Sequence, residues 1–239
     1  MNNKTLLRIQ DLKFGWRENQ PLTLSIPALT IAQGEKVFLK GPSGSGKSTL
    51  LGLITGINQA ASGSIEILGS EMTKLSNKAK DHFRADHLGY IFQQFNLLPY
   101  LSLIENVSLP CHFSQSRKAK ALQLSGSLEQ EAKRLLDHLE IPAALLHRPV
   151  TELSIGQQQR VAAARALIGR PAFLIADEPT SSLDTDARES FIKLLFNECD
   201  QADISLIFVS HDPSLQPLFS RHINLDEINL AAGAHNGHR

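Results

Sequence analysis

Apolar and polar residues alternate in three short runs near the start of the chain. "LLRIQ", "LTLSI" and "SIEIL", within residues 5–35 and 63–69, carry the two-residue period of half-buried strands, and turn residues including Gly63 and Gly69 separate them. They predict an antiparallel sheet. Val37, Phe38 and Leu39, and the segments "LGYIFQ", "AFLIADE" and "ISLIFVSH", are instead apolar almost throughout, as in strands of a parallel sheet covered on both faces. Residues 95–170 change to a mostly helical pattern. There Ser127 and Gln130 form a capping box, followed by Ala132, Leu135, Leu136 and Leu139 at i, i+3, i+4 and i+7, until Pro142 ends the run. The preceding "HFSQSRKAKALQLSG" predicts a mobile connection. Residues 231–239, "AAGAHNGHR", lack periodicity and apolar weight and predict a flexible tail.

The clearest chemistry is "GPSGSGKST", which satisfies G-x-x-x-x-G-K-[ST] through Gly41, Gly46, Lys47 and Ser48, with Pro42, Ser43, Gly44 and Ser45 between and Thr49 after. A strand precedes it and the helical run "TLLGLITGI" follows. In that context glycines let backbone N–H groups turn inward around phosphate oxygens, and the helix N-terminus adds partial positive charge. Lys47 is placed to reach the β- and γ-phosphates of ATP, and the Ser48 hydroxyl to ligate Mg²⁺.

Three of the apolar runs end in chemically capable residues: Gln93, the pair Asp177 and Glu178, and His211. In an open parallel sheet ligands bind beyond the carboxyl ends of the strands, so these ends and the phosphate loop are expected at one site. Asp177 is expected to hold Mg²⁺, and Glu178 to polarise the attacking water as general base. Gln93 has a neutral amide able to touch Mg²⁺ and that water, and His211 can donate to the γ-phosphate.

Composition narrows the partners. In 239 residues, 24 basic and 24 acidic side chains balance, and no Lys/Arg run makes a nucleic-acid footprint. An apolar content of 42% is enough for a sizeable core. The two cysteines, Cys111 and Cys199, have no metal-type spacing and fit a reducing cytoplasm without a disulfide. The first residues, "MNNKTLLRIQ", lack a secretory pattern, and no apolar run is long enough to cross a bilayer, so a membrane link is expected through a partner.

In order and spacing, "GPSGSGKST", "FQQ", "LSIGQQQR", "LIADEPTSSLD" and "VSHD" resemble the ATP-binding subunit of an ABC transporter from about residue 5 to 225. The resemblance implies an α/β fold: a P-loop NTPase core, an antiparallel β-subdomain and an inserted helical subdomain at about 95–170, in a single ABC ATPase domain over 1–230. It also implies an aromatic ring on adenine, for which Trp16 matches best and Phe14 competes. In this family two subunits pack head to tail, and the signature of one closes over the γ-phosphate held by the other. By its own residues "LSIGQQQR" is a helix start capped by Ser154 and Gln157. The resemblance makes Ser154, Gly156 and Gln157 a second anion site, for a neighbour's ATP. The family usually has glycine where Ile155 stands, and a positive φ there would strain a β-branched residue. Asp184 matches a loop that crosses the dimer interface, and is also a helix cap.

"YIFQQFNLLPYLSLIENVSLP" further resembles the lipoprotein-release and macrolide-export branch. That implies an integral membrane permease as partner, a homodimer of the ATPase, and a peripheral place on the cytoplasmic face of the inner membrane. Phe95, Leu97, Leu98 and Leu101 are then expected to line the groove for a cytoplasmic helix of the permease. Two other readings stay open: the ATPase of a cell-division regulatory complex with a permease-like partner, and a soluble ABC ATPase outside transport, which predicts a coiled-coil insertion or second nucleotide domain that is not seen.

Overall fold

The structure, a computed structural model, describes residues 4–18 and 20–231. The expected tail, apart from Ala231, lies outside them. Two compact units divide the chain, one of residues 1–81 and 207–239, the other of residues 82–206.

The first unit opens with β1 (Thr5–Phe14) and β2 (Leu24–Ala32), then β3 (Lys36–Lys40), α1 (Lys47–Ile54), β4 (Ser62–Ile67) and the two-residue β5 (Ser70–Glu71). The alternating runs do form an antiparallel sheet, in the order β2-β1-β4-β5. Its period-two pattern buries Leu7, Ile9 and Leu12 of β1 with Ile65 and Ile67 of β4. The β1–β4 register shifts between Gln10 and Lys13, where Asp11 has φ 48° and Gly63 φ 89°. A Cβ on Gly63 would stand 2.4 Å from the Asp11 carbonyl oxygen, so only glycine fits this bulge.

α2 (Asn77–His87) carries the chain into the second unit. There β6 (Leu88–Ile91) precedes five helices: α3 (Leu103–Ser108), α4 (Pro110–Phe113), α5 (Gln115–Ser125), α6 (Leu128–His138) and α7 (Ile155–Leu167). β7 (Phe173–Asp177) and α8 (Thr185–Ala202) follow, and β8 (Ser205–Val209) leads back. β6 and β7 pair in parallel, in register from Leu88↔Phe173 to Ile91↔Ala176. In α6 the predicted face is buried at Ala132, Leu135 and Leu136, with Leu139 just beyond. Ser127 caps α6 by accepting from the Gln130 N–H at 3.1 Å.

The stretch expected to be a mobile connection is helical, as the end of α4 and the whole of α5. Ser114 caps α5, and Arg117, 2% exposed, donates from it to the carbonyls of Leu88 (3.1 Å), Ala166 (2.7 Å) and Ile168 (2.8 and 2.5 Å). Burial lowers the Arg117 pKa to about 10. The bonds to Ala166 and Ile168 satisfy carbonyls at the C-terminus of α7, and the one to Leu88 ties in the start of β6. A short polar helix tied down by one arginine has too narrow an apolar stripe to show a helical period. Further along, Arg134 grips Glu131 with two bonds of 2.9 and 3.0 Å, while His138 meets Glu198 at 2.6 Å, joining α6 to α8.

Back in the first unit, β9 (Arg221–Asn224) pairs in parallel with β3 and leads into α9 (Leu225–Ile228). β3 lies between β8 and β9. The cysteines Cys111 and Cys199 are free and buried. Among the described residues no helix is long and apolar enough to cross a membrane, and no group of His, Cys, Asp and Glu is arranged to hold a metal ion by itself.

Gly63 and Gly69 both have positive φ, but a Cβ on Gly69 would meet no atom within 4 Å. Gly63→Ala should therefore cost about 3 kcal/mol and Gly69→Ala only about 1 kcal/mol. Urea unfolding of the two variants checks this. Equal losses would contradict the close approach at the bulge.

Candidate functional site

In the first unit the segment from Gly41 to Gly46 joins β3 to α1. Gly44 and Gly46 have φ 81° and 99°, which L side chains rarely adopt. Gly46 is the N-cap of α1, no side chain caps that end, and its first turn holds no acidic residue. The helices α3, α5, α6, α7 and α8 are each capped by a serine or aspartate. The N–H groups at the start of α1 are thus left for an outside acceptor, in a field that favours an anion. Ser45 Oγ is buried without a hydrogen-bond partner, a further polar group left over in the loop. Lys47 Nζ donates to the carbonyls of Gly41 (2.6 Å) and Pro42 (2.9 Å), which uses two of its three protons. Ser48 is exposed beside it, as are Pro42 and Ser43, while Thr49 is half-buried.

Two more predicted residues belong to this unit. Trp16 is 63% exposed and meets Phe14 edge to face at 5.1 Å, while Phe14 is 7% exposed at the end of β1. Trp16 therefore has a ring face to offer and Phe14 has almost none. His211 is exposed just after β8, and the N–H of Ser210 before it donates to the Leu39 carbonyl at 3.4 Å. That bond places His211 near the strand end from which the phosphate loop departs.

The second unit holds the carboxylates. Because β6 and β7 are parallel and in register, Gln93 leaves from the same end as Asp177 and Glu178. Tyr90 on β6 points its hydroxyl at Asp177 Oδ2, 3.4 Å away. Burial, then the Asp177 carboxylate, push the Tyr90 phenol well above its ordinary value, so it stays protonated. Glu178 has φ 48°, a left-handed conformation held by a turn in which the Ser181 N–H donates to the Glu178 carbonyl at 3.3 Å. Strained backbone at a carboxylate of this kind turns it away from the line of the strand. Gln93 is exposed, whereas Asp177 and Glu178 are half-buried.

α7 opens with a full capping box: Ser154 Oγ accepts from the Gln157 N–H at 3.3 Å, and Gln157 Oε1 accepts from the Ser154 N–H at 3.0 Å. The N–H groups of Ile155 and Gly156 stay outside that box. Ile155 has no positive φ; it is the first helical residue of α7 and 55% exposed, so the strain considered for it does not arise. A Cβ on Gly156 would reach only ordinary contact, 3.6 Å from Leu183. Asp184 caps α8 by accepting from the Ala187 N–H at 2.9 Å.

Two features went unpredicted. A groove of about 300 Å³ is lined by residues including Arg84, Tyr90, Phe92, Asn96, Leu109 and Arg165. Phe95, Leu97, Leu98 and Leu101 are not among its walls, and Phe95, at φ 57°, is buried. Arg165 also binds the segment after Gln93. An arginine inside the apolar run "VAAARAL" was the available signal, since a buried charge must find partners.

A family model described as "ABC transporter" matches residues 24–181, more than half of the chain. An "Uncharacterized ABC transporter ATP-binding protein YbbA" of Escherichia coli K12 is 36% identical over 94% of this chain and 96% of its own length. The "Lipoprotein-releasing system ATP-binding protein LolD" of Shewanella denitrificans is 37% identical over 83% of this chain and 82% of its own. Among solved structures, the ATP-binding cassette MJ0796, in a dimeric post-hydrolysis state bound to ADP and Pi, superposes with a TM-score of 0.79 at 32% identity, covering 92% of this chain and 94% of that one. By the family model, the relatives and the shared fold, the chain belongs to the ABC transporter ATP-binding family.

Proposed function

We propose that this ATP hydrolase of the ABC family works as a head-to-tail homodimer on the cytoplasmic face of the inner membrane, driving a permease of the lipoprotein-release or macrolide-export type. The observation that carries the nucleotide site is the N-terminus of α1, which no side chain caps and beside which Lys47 stands. ATP phosphates bind there, within the Gly41–Thr49 segment, on the N–H groups that open α1 and on Lys47, and Trp16 stacks on adenine. Mg²⁺, when bound, neutralises phosphate charge, and Ser48, Asp177 and Gln93 offer the oxygen donors suited to it. Glu178 takes the proton of the attacking water, and His211 donates to the γ-phosphate.

Ser154, Gly156 and Gln157 act on the ATP of the second copy. The capping box uses Ser154 Oγ as an acceptor, so its hydroxyl proton remains available to a phosphate oxygen. Neither φ nor local packing requires glycine at 156. Access of an outside group to the start of α7 supplies the reason. Asp184 then lies on a loop at the interface between copies. The likeness to LolD and the dimeric state of the MJ0796 cassette support this reading.

Glu178→Gln should bind ATP within about threefold of wild type yet lose about 10²–10⁴-fold in hydrolysis, because the amide keeps the shape and loses the base. Lys47→Ala should bind ATP at least about tenfold more weakly, through loss of charge-assisted hydrogen bonds. Nucleotide titration and phosphate release measure both. Normal turnover in the first, or unchanged affinity in the second, contradicts the assignment.

The tagged chain, extracted with detergent from membranes of its source cells, should copurify with an integral protein that carries a large extracytoplasmic domain. Mass spectrometry identifies it. Recovery of the chain without any integral partner contradicts the permease assignment.

A further inference from the structure

Phe95 and Asn96 stand side by side in the left-handed region, with φ of 57° and 49°. Neither is glycine, and two such residues in succession need an external hold. Arg165 of α7 provides it. Its Nη1 donates to the Asn96 carbonyl at 2.6 Å and its Nη2 to the Phe95 carbonyl. Arg165 is 9% exposed, and both side-chain bonds go to carbonyls rather than to a carboxylate. A guanidinium presents parallel N–H groups that suit two adjacent acceptors, which an ammonium cannot reproduce.

The turn held in this way is the one that carries Gln93. The Phe95 N–H donates to the Phe92 carbonyl at 3.0 Å, and the Asn96 N–H to the Gln94 carbonyl at 2.6 Å, so Gln93 sits inside a tight loop. Its entrance is tied to α7 as well: Arg117 bonds the Leu88 carbonyl, where β6 begins, and the Ala166 carbonyl next to Arg165. Both ends of the Leu88–Asn96 segment are therefore fixed to the C-terminal end of the helix whose other end is Ser154.

We propose that Arg165 is a positioning residue that clasps the Gln93 turn to α7, so that Gln93 and the Ser154–Gln157 end of the helix keep one mutual geometry during hydrolysis. This rests on the roles given above to Gln93 and to the start of α7. The clasp concerns this unit alone, and the phosphate loop lies outside it. Its loss therefore acts on turnover and leaves nucleotide binding intact.

Full-length Arg165→Lys and Arg165→Gln test this beside Gln93→Ala and a core control, Leu136→Ala. Hydrogen exchange, ATP titration and steady-state kinetics are read per folded molecule. In both Arg165 variants the amides of residues 93–98 should exchange about tenfold faster or more, ATP affinity should stay within about twofold, and kcat should fall about 10–100-fold at unchanged KM. Leu136→Ala should lower the melting temperature without that pattern. A rise in exchange spread over the whole second unit, or a normal kcat with residues 93–98 loosened, overturns the positioning role. Normal kcat in Gln93→Ala contradicts the role of Gln93 and with it the purpose of the clasp, whereas loss in Gln93→Ala without loss in either Arg165 variant overturns the clasp alone.

Discussion

A helix begins with backbone N–H groups that its own ladder cannot satisfy, and the chemistry proposed for this chain depends on where they are left open. At α1 no side chain closes the end, and glycines turn the preceding loop so that a phosphate is the natural acceptor. At α7 a capping box satisfies the Ser154 and Gln157 N–H groups but leaves those of Ile155 and Gly156 outside it. The two helix starts thus differ in completeness, as expected if one holds the nucleotide continuously and the other meets it only on closure.

Within the second unit the fold supplies rigidity through backbone carbonyls gripped by arginines. Arg117 and Arg165 are buried, carry charge, and bond main-chain oxygens at a helix end and in a strained turn. Removing Arg117 leaves buried acceptors unpaired, and removing Arg165 releases the two carbonyls of the strained turn, so each contact fixes a backbone geometry that apolar packing alone would not specify. Glu178, at φ 48°, shows the same economy: backbone strain at a carboxylate is stored where the surrounding turn over-determines it.

Much of this was legible in the sequence because the signals are contiguous. The phosphate loop, the alternating strands of the antiparallel sheet, the α6 face and the caps at Ser154 and Asp184 each rest on residues within a few positions of one another. α5 was not legible, since what holds it is Arg117 reaching carbonyls some 50 positions away. Nor was the turn at Phe95: its burial depends on a left-handed backbone whose carbonyls are held from α7. Ile155 is the opposite case, a departure from the family pattern that the helical backbone accepts without strain. Long-range partners and φ values are set by tertiary structure, and no local pattern encodes them.

The central claim, that each copy completes the other's ATP site, is tested most directly by mixing defective subunits. Lys47→Ala and Gly156→Asp chains, carrying different affinity tags so that mixed dimers can be isolated, are followed through a single turnover. Use of α7 across the interface leaves one composite site of the mixed dimer intact and puts both defects in the other. Hydrolysis should then reappear, at no more than one ATP per mixed dimer, while neither variant alone hydrolyses. Isolated mixed dimers that bind ATP, close and still hydrolyse none would contradict the account.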